Sequence, residues 1–376
     1  MGVCRRANPG GFLKILFIIP NLFRGGAEYQ LLELCRALKR EPGLDLRVLA
    51  FYSEASRDLL GYYQEVRDLG VPVDTLFDTL VTGLPLLRAT RAYLRSQPSD
   101  IIQAFLQANQ YASLAALALP GKLFLGIRSD LSLSRGQRLL GRALDFRVNA
   151  YVGNAKFIIQ HYAEQVGCAA HKAVAIYNGI DLERLRRTRS REDMRRELGL
   201  PEQARAMITV ANMHFPFKGH GELMEAWCAH APSSPNDHLV LVGTGKREED
   251  LKAQARLAGL ASRTHFLGMR SDVMDLLGAC DLYISPSWVE GFSNSIAEAI
   301  LCGLPVVATR VGGTPEMVSE GSWGALVPPR DASSLANALQ RDFQPPSPAA
   351  LQAFREQVDL NHLGRDYLAL YQGALA

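Results

Sequence analysis

The chain has 376 residues, 48% of them hydrophobic and 21% charged, an ordinary globular composition with room for two domains and ample core. A net charge of +3 is too small to argue for a nucleic-acid partner, but it is unevenly spread. Residues 1–200 carry 28 basic and 19 acidic side chains, net +9, whereas residues 201–376 carry 13 and 19, net −6. The basic half is therefore expected to face an anionic partner.

The first apolar stretch is "GFLKILFIIP", Gly11 to Pro20. Arg5 and Arg6 precede it, so a signal peptide has to be weighed. Lys14 interrupts the apolar run, no small-residue cleavage site follows, and a glycine turn and amphipathic helix come next. The better reading is a buried first strand of an α/β domain. No run reaches the ~18–20 apolar residues of a membrane span.

Beyond it, strand-like and helix-like stretches alternate: "GGAEYQLLELCRALKR", "DLRVLAFY", "DIIQAF", "AYVGNA", "KFIIQHYAEQVG", "AVAIYNGID". This βαβ rhythm predicts a doubly wound parallel sheet. An arginine-rich stretch without a strand, Asn178 to Gln203, is the expected joint. The rhythm then restarts with "AMITVANM", "GHGELMEAWCAHA", "HLVLVGTG", "EEDLKAQARLAGL", "THFLG", "SDVMDLLGAC" and "LYISPS", and closes with "LPVVAT" and "WGALVPP". Two tandem Rossmann-like domains are expected, residues 1–180 and 181–360. A C-terminal helix at about 361–376 has no strand of its own to cover and is expected to pack back on the first domain.

Four stretches carry chemistry. In "EGFSNSIAEAILCG", Glu290 ends a loop, and Ser293 or Asn294 is placed to cap a helix from about Ser295 to Cys302, with Gly303 ending it. Free amides at such a helix start attract phosphate, and doubly wound sheets bind ligands at that edge. Glu298, one turn in, suits two vicinal hydroxyls; the bland alternative is a carboxylate that merely favours the helix dipole. In "FRGGAE", Gly25 and Gly26 follow strand one and permit close backbone approach to a phosphate, or simply a tight turn. In "ANMHFPFKGHGEL", Lys218 precedes a helix, either to neutralise a diphosphate or as a solvated loop residue. In "VGTGK", Gly243 and Gly245 read best as turn geometry. No G-x-G-x-x-G, no G-x-x-x-x-G-K-[ST] and no D-x-D is present. The missing carboxylate pair argues for charge neutralisation by lysine and helix amides instead of a metal clamp. The six cysteines form no C-x-x-C, so reduced cytosolic thiols are expected. His220, His230 and His238 share no ligand spacing and are expected to be surface residues, not metal ligands.

Taken together, "EGFSNSIAE" resembles the E-x7-E signature of glycosyltransferase family 4, retaining enzymes of the GT-B fold. "GGAEYQLLELCRAL", "VAIYNGID", "FKGH", "LVGTG", "FLGMRSDVMDLLGACDLYISPS" and "GLPVVATRVGGTPEMV" are similar to family segments in family order. The resemblance implies two domains facing across a cleft, and a nucleotide-sugar donor held mainly by the second. It implies Glu298 on the ribose, and Lys218 with amides of Phe292, Ser293, Asn294, Ser295 and Ile296 on the diphosphate. Glu290 would sit at the donor sugar, backbone near Met269 and Arg270 at the base, and Gly25 and Gly26 at the phosphates from the first domain. It implies retention, no metal, no other cofactor, and a leaving phosphate that accepts the acceptor's proton. UDP-sugars come first and GDP-mannose next.

Two departures stand out. Where the family often has an arginine before the lysine, this chain has Asn212 and Met213. Where many members carry a histidine after the "DII" strand, it has Gln103 and Phe105, which leaves Gln107 or Asn109 as further acceptor-side candidates. The acceptor is expected to be a glycan or lipid-linked chain of a cell-surface polysaccharide. Arg135, Arg138 and Arg142, interleaved with leucines, would meet an anionic membrane on its cytoplasmic face, or form no more than a solvated basic helix. The alternative reading is a nucleotide-sugar-binding protein without turnover.

Overall fold

The computed structural model describes residues 11–56, 61–129, 132–321 and 323–376. The chain divides into two compact units. One runs to Asp181 and takes in Val358–Ala376; the other is Leu182–Gln357.

The first unit contains β1 (Leu13–Ile19), β2 (Leu44–Tyr52), β3 (Val73–Phe77), β4 (Ile101–Phe105), β5 (Lys122–Ile127), β6 (Val148–Gly153) and β7 (Ala173–Ala175). Its helices are α1 (Gly26–Leu38), α2 (Tyr63–Asp68), α3 (Leu84–Ser96), α4 (Ala108–Ala115), α5 (Arg135–Leu144) and α6 (Lys156–Val166). The seven strands are all parallel, in the order β3-β2-β1-β4-β5-β6-β7. After Lys14, β1 reads as an apolar run, residues 15–19, because both of its faces are packed into core. The order reverses between β1 and β4, which makes that edge the topological switch point.

The second unit begins with a 3₁₀ turn at Leu182–Leu185 and α7 (Arg191–Glu197), within the polar joint. It continues with β8 (Arg205–Val210), α8 (His220–His230), β9 (Asp237–Val242), α9 (Glu248–Leu257), β10 (Thr264–Phe266), α10 (Val273–Ala279) and β11 (Leu282–Ser285). It ends with α11 (Asn294–Leu301), β12 (Val306–Thr309), β13 (Gly324–Val327), α12 (Ala332–Leu339) and α13 (Pro348–Gln357). The sheet order is β10-β9-β8-β11-β12-β13, again parallel, with its switch point between β8 and β11.

The last helix, α14 (Leu360–Leu375), belongs to the first unit. Leu360, Leu363, Tyr367 and Tyr371 join the same core cluster as α1 and β1. Tyr371 packs edge-on against Phe124 at 5.0 Å. At Gly364 a side chain would come within 3.1 Å of the Ala37 Cβ, so the glycine sets how closely α14 approaches α1.

Candidate active site

The second unit gathers its chemistry at the β8/β11 switch point. The loop after β8 ends in a 3₁₀ turn, Pro216–Lys218, and the loop after β11 carries Ser287, Trp288 and Glu290. The two loops are tied by the Trp288 amide donating to the Phe217 carbonyl at 2.7 Å. Gly219 has φ +71, and a side chain there would lie 1.9 Å from the Pro286 oxygen, so no other residue fits between them. This contact brings Lys218 and Glu290, 72 residues apart, into a 2.6 Å ion pair. Ser287 Oγ donates to Oε1 of Glu290 at 2.7 Å, the same oxygen that Lys218 uses. Oε2 is left open.

Directly beyond, Ser293 is the N-cap of α11, but its hydroxyl caps no amide and lies 3.3 Å from the Ser295 hydroxyl. The amides of Ser295 and Ile296 therefore start a helix without a side-chain cap, an arrangement that suits an anion. Glu298 is half-buried one turn in. Its charge adds to the burial that pushes the Tyr283 hydroxyl and the Cys302 thiol up, the thiol to about 11. Phe292 is buried and stacks on Phe354, so its side chain is not offered to a ligand.

A second cation here was not evident in the sequence. Arg247, half-buried, places its guanidinium 3.3 Å from where a Gly221 side chain would stand, at the start of α8. The signal was faint: one arginine among many, two residues past "GTG". The glycines themselves have steric roles. A side chain at Gly243 would meet the Ala211 oxygen at 2.2 Å, and one at Gly245 the Met213 carbonyl carbon at 2.1 Å. The Met213 side chain is fully buried in the core and offers no polar group; its backbone donates to the Thr244 carbonyl at 2.8 Å and accepts from the Arg247 amide at 3.3 Å.

The expected surface placement of the three histidines is wrong: His220, His230 and His238 are all buried, on α8 and at the start of β9. His220 opens α8, is 1% exposed, and neither of its ring nitrogens has a partner among the described residues. Burial, then Arg247 and Lys218, push its pKa down to about 4. The folded state thus refuses a proton that the unfolded chain takes up below about 6.5. Stability is expected to fall as pH drops from 6.5 toward 4, by up to roughly 1.4 kcal/mol per pH unit from this group. His265, held down to about 4 by burial and then His238, adds to the slope. Urea midpoints between pH 7.5 and 4.5 should show a flatter dependence in His220→Phe. A curve parallel to wild type would remove His220 from this account.

Met269 is exposed on the turn after β10, and the Arg270 side chain is taken up by Asp272 at 2.6 Å and Glu197 at 2.9 Å. In the first unit, Gly25 is the N-cap of α1, and a side chain there would strike the Glu28 carboxylate at 2.4 Å. Burial, partly offset by its own amide, raises Glu28 to about 7. Gly26 is exposed at the first position of α1.

Two acceptor-side expectations need correction. Gln103 and Phe105 are both fully buried on central strand β4. Gln103 donates to the Ala104 carbonyl at 3.1 Å and accepts from the Tyr371 hydroxyl at 3.3 Å. Phe105 lies under the Arg128 guanidinium. A strand covered on both faces offers neither residue to a ligand. Asn109 is half-buried and donates to the Gly126 carbonyl at 2.9 Å, a brace for its loop. Gln107 is exposed at the N-cap of α4. It follows Leu106, whose φ of +57 is a left-handed conformation costing a non-glycine residue about 1–2 kcal/mol.

On α5, Arg135, Arg138, Leu139 and Arg142 are exposed, as is Phe146 just past its end. The Arg142 Nε also donates to the Val166 carbonyl at 3.1 Å. No helix among the described residues is long and apolar enough to cross a membrane.

Residues 24–184 match the model for Glycosyltransferase Family 4, and residues 204–343 that for Glycosyl transferases group 1. The chain belongs to glycosyltransferase family 4. It is 30% identical to N-acetyl-alpha-D-glucosaminyl L-malate synthase of Bacillus anthracis, over 43% of this chain and 42% of the relative. It is 28% identical to the lipopolysaccharide core biosynthesis mannosyltransferase LpsB of Rhizobium meliloti, over 50% and 57%. The chain thus spans about half the length of the curated relatives it matches. Among solved structures, Alr3699/HepE of Anabaena in complex with UDP superposes with a TM-score of 0.80 at 23% identity, covering 96% of this chain and 100% of that one. It has also been solved with UDP-glucose. That likeness establishes the GT-B fold with its two Rossmann-like domains.

Proposed function

We propose that this family 4 member is a retaining hexosyltransferase (EC 2.4) that moves a sugar from a nucleotide-sugar donor to a glycan or lipid-linked acceptor of a cell-surface polysaccharide. A UDP-sugar is the first choice of donor and GDP-mannose the next. The observation that carries this reading is the Lys218–Glu290 pair beside the uncapped start of α11, with Glu298 one turn in. A cation and free amides would take the diphosphate, and a carboxylate the ribose. Glu290 would offer its open oxygen to the sugar. The UDP and UDP-glucose held by the Anabaena neighbour, and the lipopolysaccharide role in the name of the Rhizobium relative, support the same reading.

In the reaction the bond from the anomeric carbon to the phosphate oxygen breaks, and one to the acceptor oxygen forms on the same face. The acceptor's proton passes to the departing phosphate. Lys218 and the α11 amides take up the charge that develops there, without a metal. The exposed face of α5, basic and apolar together, would rest on an anionic membrane at its cytoplasmic side.

A thermal-shift panel with UDP, GDP, ADP and their sugar conjugates tests the donor. One nucleotide should raise the midpoint by mass action, and Glu298→Ala should lose that shift. Folded protein that responds to none of them would overturn the proposal.

A further inference from the structure

The first unit carries a pocket that the donor chemistry does not use. It lies at the β1/β4 switch point, with a volume of about 360 Å³. Asn21 from the end of β1, Tyr52 from β2, and Gln107, Gln110 and Tyr111 from the start of α4 contribute to its wall. No Asp, Glu, Lys, Arg or His of the described residues lines it. The carboxamides of Gln107 and Gln110 are exposed and engage no described protein group. Tyr111 is held edge-on to Phe51 at 5.6 Å, and its hydroxyl accepts from the Gly83 amide at 3.0 Å, which leaves its own proton to donate. The strained Leu106 immediately before Gln107 fixes where α4 begins.

We propose that this pocket receives an uncharged sugar residue, the terminal unit of the acceptor. The inference rests on the transferase reading above and narrows its acceptor class. Two carboxamides and a phenol match the paired donor and acceptor character of hydroxyl groups, and the tyrosine rings give the C–H face of a pyranose a surface to lie on. A carboxylate or phosphate would enter without a countercharge and would lose its hydration uncompensated. The pocket therefore suits a neutral glycosyl terminus and disfavours an anionic acceptor such as the L-malate in the name of the Bacillus relative.

The test is saturation-transfer NMR on the full chain with UDP present. The probes are methyl α-D-mannopyranoside and methyl β-D-glucopyranoside, with L-malate and myo-inositol 1-phosphate for comparison. At least one glycoside is expected to receive saturation, and its affinity should fall about tenfold in Gln110→Ala, as for loss of a hydrogen bond the site is built to make. Gln107→Ala should act in the same direction, and both residues are exposed, so the variants should fold. The anions should give no signal that depends on Gln110. Glycosides unaffected by either variant, no glycoside binding at all, or Gln110-dependent binding of malate or inositol phosphate would each overturn the proposal. UDP's own signals separate the two readings. If UDP binds and no glycoside does, the pocket assignment fails alone. If a glycoside binds through Gln110 and no nucleotide binds, the transferase reading fails alone.

Discussion

Lys218→Ala is expected to lower kcat/KM for the donor by about 10²–10³, the usual effect of removing a group aimed at developing charge. The expected change in Tm is small. Lys218 is 22% exposed and Glu290 12%, and a pair open to solvent on one side contributes about 0–1 kcal/mol to stability. The competing explanation is that the ion pair merely braces the two loops. The Trp288–Phe217 backbone bond and the Gly219–Pro286 contact already do that without it. Activity and stability therefore separate the two accounts. A large loss of turnover at nearly unchanged Tm supports charge neutralisation at the phosphate. A lowered Tm with turnover intact would make Lys218 a structural residue. Lys218→Arg should recover little, because a planar guanidinium is a poor substitute in a turn closed by Pro286.

The sheets could be read in the sequence wherever parallel strands are covered on both faces and so become near-continuous apolar runs, as in residues 15–19 of β1, 239–242 of β9 and 306–308 of β12. β3 escaped notice because it is an edge strand of mixed polarity, half-buried or exposed throughout its length. β5 escaped for the opposite reason: "SLAALALPGKLFLGI" is apolar across a helix, a turn and a strand, and nothing but Pro120 and Gly121 marks the boundary. α14 was placed by its period, together with the lack of a strand for it to cover. Tyr367 and Tyr371 account for its position physically, since both are fully buried.

The candidate site was legible as types of residue but not as contacts. Glu290, Lys218 and Glu298 could be named from their places beside helix starts. That Lys218 and Ser287 converge on one oxygen of Glu290 follows only from the pairing of β8 with β11. The errors at Gln103 and Phe105 have the same origin. Alternation along "DIIQAF" does not say where the strand ends, and residues become available to a ligand only after the left-handed turn at Leu106. Arg247 was missed because nothing local distinguishes it. Its neighbour Gly221 is supplied by the first turn of α8, 26 residues earlier in the chain.

The two glutamates should fail in different ways. Glu298→Ala is expected to weaken UDP binding by about 10–100-fold, since hydrogen bonds to a charged acceptor contribute about 1.5–3 kcal/mol each. Its kcat at saturating donor should change little, because a ribose contact is made equally in ground and transition states. Glu290→Ala should instead lower kcat by about 10²-fold. It should not weaken UDP binding, and a modest gain is expected. In the free protein Lys218 is engaged by Glu290 at 2.6 Å, and removing that partner leaves the ammonium free for the diphosphate. Measuring UDP affinity by calorimetry and turnover by nucleotide release, on both variants, gives four numbers. Opposite signs of the change in UDP affinity, with the turnover loss confined to Glu290→Ala, would assign Glu298 to the nucleotide and Glu290 to the sugar. Near-wild-type activity and affinity in both variants would remove the assignment, leaving Glu298 as a helix-dipole carboxylate and Glu290 as a loop brace.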